Sequence, residues 1–181
     1  ENYNIGIHNC NKNVLSICRL VDQKNIFEIF RIANLLPNYN FIILGDGYLY
    51  SKACEFIKFN NINNVYLIGS KNEVFEYLYK ADLFLSTSLY EGHPISILEA
   101  MSVGIPIVAS KVTGNCDTIE HNISGLLYEL GNIHQAVNFI NLLMKNDEIN
   151  STFSSNAYHA HRDKFSINKM KSSYIKFYNS I

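Results

Sequence analysis

Six short apolar runs separated by longer segments of helical period constrain this chain more than any other feature. The runs cover residues 14–18, 41–44, 65–68, 83–86, 105–109 and 125–128, and several are rich in Ile and Val. Strands buried on both faces must be apolar throughout, so the runs read as the strands of a parallel sheet. Between the first two, Ile26, Ile29, Phe30, Ala33 and Leu36 recur at the spacing of one helix face in a segment spanning residues 25–36. Residues 49–60, 72–80 and 95–103 supply further crossover helices. Right-handed crossovers then predict an α/β fold, a Rossmann-like, doubly wound parallel sheet of about six strands. After the last run the pattern is helical alone, over residues 133–144, 148–162 and 166–180, with Ser166 placed to cap the last of these. That helix carries Ile167, Met170, Tyr174, Phe177 and Tyr178 as an aromatic-rich stripe. Two readings are open: it docks on this sheet, or it leaves the sheet to brace a second domain.

The 181 residues suffice for one domain that buries roughly 70% of its unfolded surface. With 15 Lys+Arg against 16 Asp+Glu spread along the chain, no basic footprint for nucleic acid or an anionic membrane surface is expected. No apolar run approaches the roughly 20 residues of a membrane span. Cys10, Cys18, Cys54 and Cys116 form no CxxC pair and read as reduced thiols rather than a disulfide framework. The chain begins with Glu1, with no basic or apolar leader behind it, which reads as part of a longer protein.

An open parallel sheet binds ligands at the carboxyl ends of its strands, so chemistry is expected in the loops there. The first such loop carries Arg19 and Lys24, the latter at the start of a helix opened by Asp22 and Gln23. Two cations beside a helix N-terminus suit a diphosphate, because exposed amides and the helix dipole add to their charge. Solvated surface cations would show the same spacing. The second strand ends in Gly45-Asp46-Gly47 and the third in Gly69-Ser70, turns that let a backbone approach a ligand or simply reverse the chain. The dinucleotide pattern G-x-G-x-x-G and the P-loop are both absent.

The richest constellation follows the fourth run, in Ser86-Thr87-Ser88-Leu89-Tyr90 and then Glu91-Gly92-His93-Pro94-Ile95-Ser96-Ile97-Leu98-Glu99. Pro94 suits the first turn of a helix, which sets Gly92 and His93 at its N-terminus with amides facing the sheet end. Glu91 stands in the loop, and Glu99 lies on a mainly apolar helix, where a carboxylate is costly unless paired. A pair of ligand hydroxyls could serve Glu99, as could a salt bridge. The turn Ser110-Lys111-Val112-Thr113-Gly114-Asn115 after the fifth run could add amides to the same ligand. No Ser-His-Asp order, H-E-x-x-H or D-x-D is present, so hydrolase, zinc-protease and manganese-dependent transferase chemistries lack their residues, and no metal site is expected.

The ordered set Arg19, Lys24, Gly45-Asp46-Gly47, Glu91-Gly92-His93-Pro94 with Glu99-Ala-Met, Gly104-Ile-Pro-Ile-Val-Ala-Ser and Gly125-Leu-Leu resembles the C-terminal, donor-binding domain of retaining glycosyltransferases of family four. These have the two-domain glycosyltransferase B fold, and the E-x7-E element "EGHPISILEAM" is the specific part of the match. The resemblance implies that Arg19 and Lys24 grip the diphosphate of a UDP-, GDP- or ADP-sugar. It also implies that Glu91, the candidate catalytic residue, contacts the donor sugar and that Glu99 binds the ribose. Amides from Gly92 through His93 and Ile95 to Ser96 would bind sugar and phosphates, with Gly45 among the donor-binding residues and Gly69 near the base. No metal or other cofactor is implied. His93 stands where Phe is frequent, Cys18 where Gly or Ser is commoner and Asp117 where Glu is usual.

By the same resemblance the acceptor site lies in an N-terminal domain outside this chain, and residues 1–181 are the donor half. The expected parent is a cytoplasmic enzyme of bacterial surface polysaccharide synthesis, at the inner face of the membrane where its glycan acceptor is lipid-linked, with peripheral membrane contact allowed. Two alternatives are a nucleotide-sugar epimerase of the same two-domain fold and a non-catalytic interaction domain.

Overall fold

The computed structural model describes residues 11–180; His8 and Cys10 lie outside them. The strands are β1 (Asn13–Ile17), β2 (Asn40–Leu44), β3 (Val65–Gly69), β4 (Leu83–Ser86), β5 (Ile107–Ser110) and β6 (Leu126–Tyr128). All are parallel, in the order β3-β2-β1-β4-β5-β6. The helices are α1 (Ile26–Leu35), α2 (Tyr50–Phe59), α3 (Val74–Leu78), α4 (Ile95–Ser102), α5 (Thr113–Thr118), α6 (Ile133–Lys145), α7 (Asp147–Ala160) and α8 (Ile167–Tyr178). The doubly wound α/β architecture expected from the sequence is therefore the one found.

Continuous apolar strands make two cores because successive side chains point to opposite faces. Val14, Phe41, Ile43, Leu83, Leu85, Val108, Leu126 and Tyr128 face a core shared with α1, α2 and α6. The intervening Leu15, Ile42, Leu44, Phe84, Ile107, Ala109 and Leu127 face the other, with α4 and residues of α3 and α7. The strand order reverses between β1 and β4. Crossovers leave in opposite directions at such a point, opening a crevice above the carboxyl ends of the two strands.

Local chemistry sets the differences from the expected boundaries. The fifth strand starts at Ile107 rather than residue 105, because Pro106 has no N–H to give the ladder. Its carbonyl still accepts from Phe84 N at 2.9 Å. The helix expected from residue 25, opened by Asp22 and Gln23, is instead a single 3-10 turn over Asp22–Lys24 followed by α1. Asn25, left-handed at φ 49, ψ 43, separates the two. Ser166 caps α8 as expected, its hydroxyl accepting from Lys169 N. That helix buries no residue: Ile167, Met170, Tyr174, Phe177 and Tyr178 are each more than half exposed, so the stripe does not dock on this sheet. A π-turn over His161–Phe165 joins it to α7. Cys18, Cys54 and Cys116 are free thiols. No helix among the described residues is long and apolar enough to cross a membrane.

Candidate functional site

The backbone past β1 runs alongside the end of β2. Cys18 N donates to Leu44 O and Leu20 N to Asp46 O, both at 2.9 Å, and Gly45 N donates to Gly69 O at the end of β3. This approach requires a glycine. Gly45 has φ +135, and a Cβ there would lie 1.9 Å from Cys18 O. The three loops close on an open cleft of about 380 Å³ lined by Arg19, Gly45, Asp46, Ser70, Lys71 and Glu99, among others. Arg19 is exposed, and its guanidinium makes no ion pair or hydrogen bond among the described residues. Glu99 faces the cleft half-buried and likewise unpaired, and desolvation pushes its carboxyl above the usual range. The salt bridge that would have answered the sequence expectation for Glu99 is therefore not found.

Lys24 and Glu91 occupy a second, much tighter recess with Ser16, Ser88 and Ser96, where only about 10 Å³ is open. Lys24 Nζ lies 2.5 Å from Glu91 Oε1, with the two side chains 17% and 8% exposed. Ser88 Oγ donates to the same oxygen at 2.6 Å. Cys18 lines both recesses, and burial pushes its thiol up to about 12, with Lys24 opposing the rise, so it is a neutral wall and no nucleophile. The sequence placed Lys24 and Glu91 at one sheet end but did not pair them.

Helix α4 begins at Ile95, with Pro94 as its N-cap rather than its first residue. The amides of Ile95 and Ser96 are thus first-turn groups without intrahelical partners. Gly92, His93 and Ile95 are exposed and Ser96 half-buried. Gly114 N donates to Glu91 O at 3.2 Å, so this amide, expected to face a ligand, instead holds the loop.

Sequence reasoning missed the buried groups that place these residues. Glu28, 4% exposed in the first turn of α1, accepts from Tyr128 Oη at 2.7 Å and from Asn25 Nδ2 at 2.9 Å. Burial and the neighbouring Glu28 carboxylate push the Tyr128 phenol well up, so it stays a donor. Thr87 Oγ1 donates to the carbonyls of Lys24 and Asn25. Together these bonds stabilise the left-handed Asn25 and hold Lys24 at the sheet end. Glu28 offered no signal beyond a carboxylate within an apolar helix pattern.

Fold and cleft define a doubly wound α/β domain with an open cleft at its switch point, bordered by Arg19, Gly45 and Glu99. The family model for glycosyl transferases group 1 matches residues 4–160, and the chain belongs to that family. It is 33% identical over 171 residues to the Escherichia coli UDP-Gal:alpha-D-GlcNAc-diphosphoundecaprenol alpha-1,3-galactosyltransferase, covering 87% of this chain and 43% of that one. A S. aureus TarM variant in complex with Fondaparinux, alpha-GlcNAc-glycerol and UDP superposes with TM-score 0.87 at 31% identity, over 93% of this chain and 36% of that one. The C-terminal domain of a group 1 family protein (LpcC) from Francisella tularensis, at 20% identity and TM-score 0.76, shares the fold over 87% of this chain and 88% of that domain. The chain is thus the C-terminal half of a glycosyltransferase B fold, as the resemblance implied, and it spans less than half the length of the E. coli relative.

Proposed function

We propose that this chain is the donor half of a retaining glycosyltransferase that moves a sugar from a nucleoside diphosphate-sugar to a glycan or lipid-linked acceptor. The observation that carries this reading is the convergence of Arg19, Lys24, Glu91 and Glu99 on two adjoining recesses at the carboxyl edge of the sheet. Arg19 and Lys24 meet the diphosphate, whose charge they stabilise as the leaving group departs. The first-turn amides of α4 add to that stabilisation. Glu99 binds the ribose hydroxyls, which satisfy a carboxylate otherwise half-desolvated, and Glu91 meets hydroxyls of the sugar. The base lies near Gly69, and His93 and Ile95 border the sugar.

UDP, present in the TarM complex and named in the E. coli relative's donor, is the first nucleotide to try. The acceptor belongs to an N-terminal domain of the parent, which works on the cytoplasmic side of the membrane in bacterial surface polysaccharide synthesis. The relatives' longer chains and the undecaprenol-linked acceptor of the E. coli enzyme support this setting. The test is a thermal-shift series with UDP, GDP and ADP. Binding to the native state alone raises stability by about 2.7 kcal/mol at a hundredfold excess over Kd. One of the three should therefore raise the melting temperature by several degrees, and no shift with any of them would refute the reading.

A further inference from the structure

Three polar side chains are buried beside Glu91 with no proposed contact to the ligand: Ser88 (2% exposed), Ser110 (0%) and Asn115 (0%). They form one chain of hydrogen bonds. Asn115 Nδ2 donates to Ser110 O at 2.9 Å, Ser110 Oγ to Ser88 O at 2.6 Å, and Ser88 Oγ to Glu91 Oε1 at 2.6 Å. The segment from Ser88 to Glu91 is also held along its backbone. Leu89 N donates to Gln23 O, Gln23 Nε2 to Tyr90 O and Gly114 N to Glu91 O. Each of its four residues thus has a bond to another part of the fold.

Both bonds to the Glu91 carboxylate, from Ser88 and from Lys24, fall on Oε1, and no described residue bonds Oε2. From this juxtaposition we propose that Ser88 is a positioning residue that fixes Oε1 of Glu91 and so presents Oε2 to the hydroxyls of the donor sugar. The inference rests on the reading of Glu91 as a sugar contact and gives that contact its anchor. Lys24 divides its three donors between Glu91 and the diphosphate of the proposed donor, whereas the one hydroxyl proton of Ser88 serves Glu91 alone. Ser110 holds the Ser88 carbonyl, which fixes the backbone from which the hydroxyl reaches Glu91.

The test compares, by calorimetry on the full-length protein, affinity for UDP with affinity for UDP-glucose, UDP-galactose and UDP-N-acetylglucosamine. GDP and ADP with their hexose esters replace these if one of them gives the thermal shift. A hydrogen bond to a charged group supports an effect of about tenfold. Ser88→Ala should therefore weaken the preferred intact donor about tenfold while leaving the nucleoside diphosphate within about twofold. In a Glu91→Ala background it should change neither by more than about twofold, because the carboxylate it holds is gone. Ser88→Cys, with similar volume and a weaker donor, gives the same comparison with packing kept, should the alanine variant fold poorly. Equal losses in both backgrounds, equal losses for both ligands, or no loss at all would each overturn the proposal. If Glu91→Gln spares the intact donor, the reading of Glu91 fails and takes this proposal with it. If Glu91→Gln harms the donor and Ser88→Ala does not, only the role of Ser88 falls.

Discussion

The two recesses at the sheet edge differ in how their charges are met. In the tight one, Lys24 and Glu91 satisfy each other and Ser88 adds a third bond. In the open one, Arg19 and Glu99 have no side-chain hydrogen bond or ion pair among the described residues. A buried charge is tolerated only when paired, whereas an exposed or half-exposed one can wait in water for its ligand. The tight recess is therefore part of the fold's stability, and the open one is available for binding at small structural cost. Substitutions should separate the two.

The largest effect is expected where the tight recess is deformed without touching its charges. A Cβ on Gly114 would lie 2.6 Å from Glu91 O, so Gly114→Ala must displace the loop that carries the carboxylate. A displacement of about 1 Å at a reacting centre can cost on the order of a hundredfold. Sugar transfer by the full-length protein should fall by about that factor. Transfer within a few-fold of the parent would show that the Glu91 loop tolerates movement and that the recess is not tightly specified.

Next comes the contrast between the two cations. Arg19→Ala and Lys24→Ala should each weaken nucleotide binding roughly tenfold, since a charge-assisted contact is worth about 1.5 to 3 kcal/mol. Only Lys24→Ala should also lower the melting temperature, by several degrees, because it strands Glu91 with its ion-pair partner gone. Arg19→Ala, which removes no side-chain hydrogen bond or ion pair among the described residues, should melt with the parent. Equal melting temperatures for both variants, measured by calorimetry, would erase the distinction.

The smallest effect concerns Glu99. Its carboxyl is raised by desolvation, so its contribution to stability is fully present below the unfolded-state pKa and is lost as pH rises through the higher folded value. Glu99→Gln removes that loss. The empty variant should be slightly more resistant to urea than the parent above the ordinary carboxylate range of about 4.3, and equal to it below. The same variant should bind free nucleoside diphosphate more weakly through the ribose. A urea midpoint difference that is independent of pH would show that the Glu99 charge is not desolvated.

Much of the fold was legible because hydrophobic period is local. The run from Phe41 to Leu44 announces a strand buried on both faces, and Ile26 to Leu36 a helix with one face buried, without reference to any other part of the chain. The breaks were less legible. Whether Lys24 continues into α1 turns on the φ of Asn25, and a left-handed Asn is held there by Glu28 and Thr87, residues that carry no such mark in sequence. The stripe on α8 was visible as a pattern, but that it stays exposed depends on what packs beside it.

The sequence by itself determined which segments form strands and which form helices, that the loops carrying Arg19, Lys24 and Glu91 lie at one edge of the sheet, and the family to which E-x7-E belongs. Tertiary structure alone decided the partners. Lys24 meets Glu91 across 67 positions, Glu28 meets Tyr128 across 100, and Ser110 fixes Ser88 across 22. Periodicity reports only whether a side chain is buried, through the repeat of the helix or the pleat. Which distant polar atom satisfies it depends on the order in which strands pair, and that order brings loops together from points in the chain that share no local pattern.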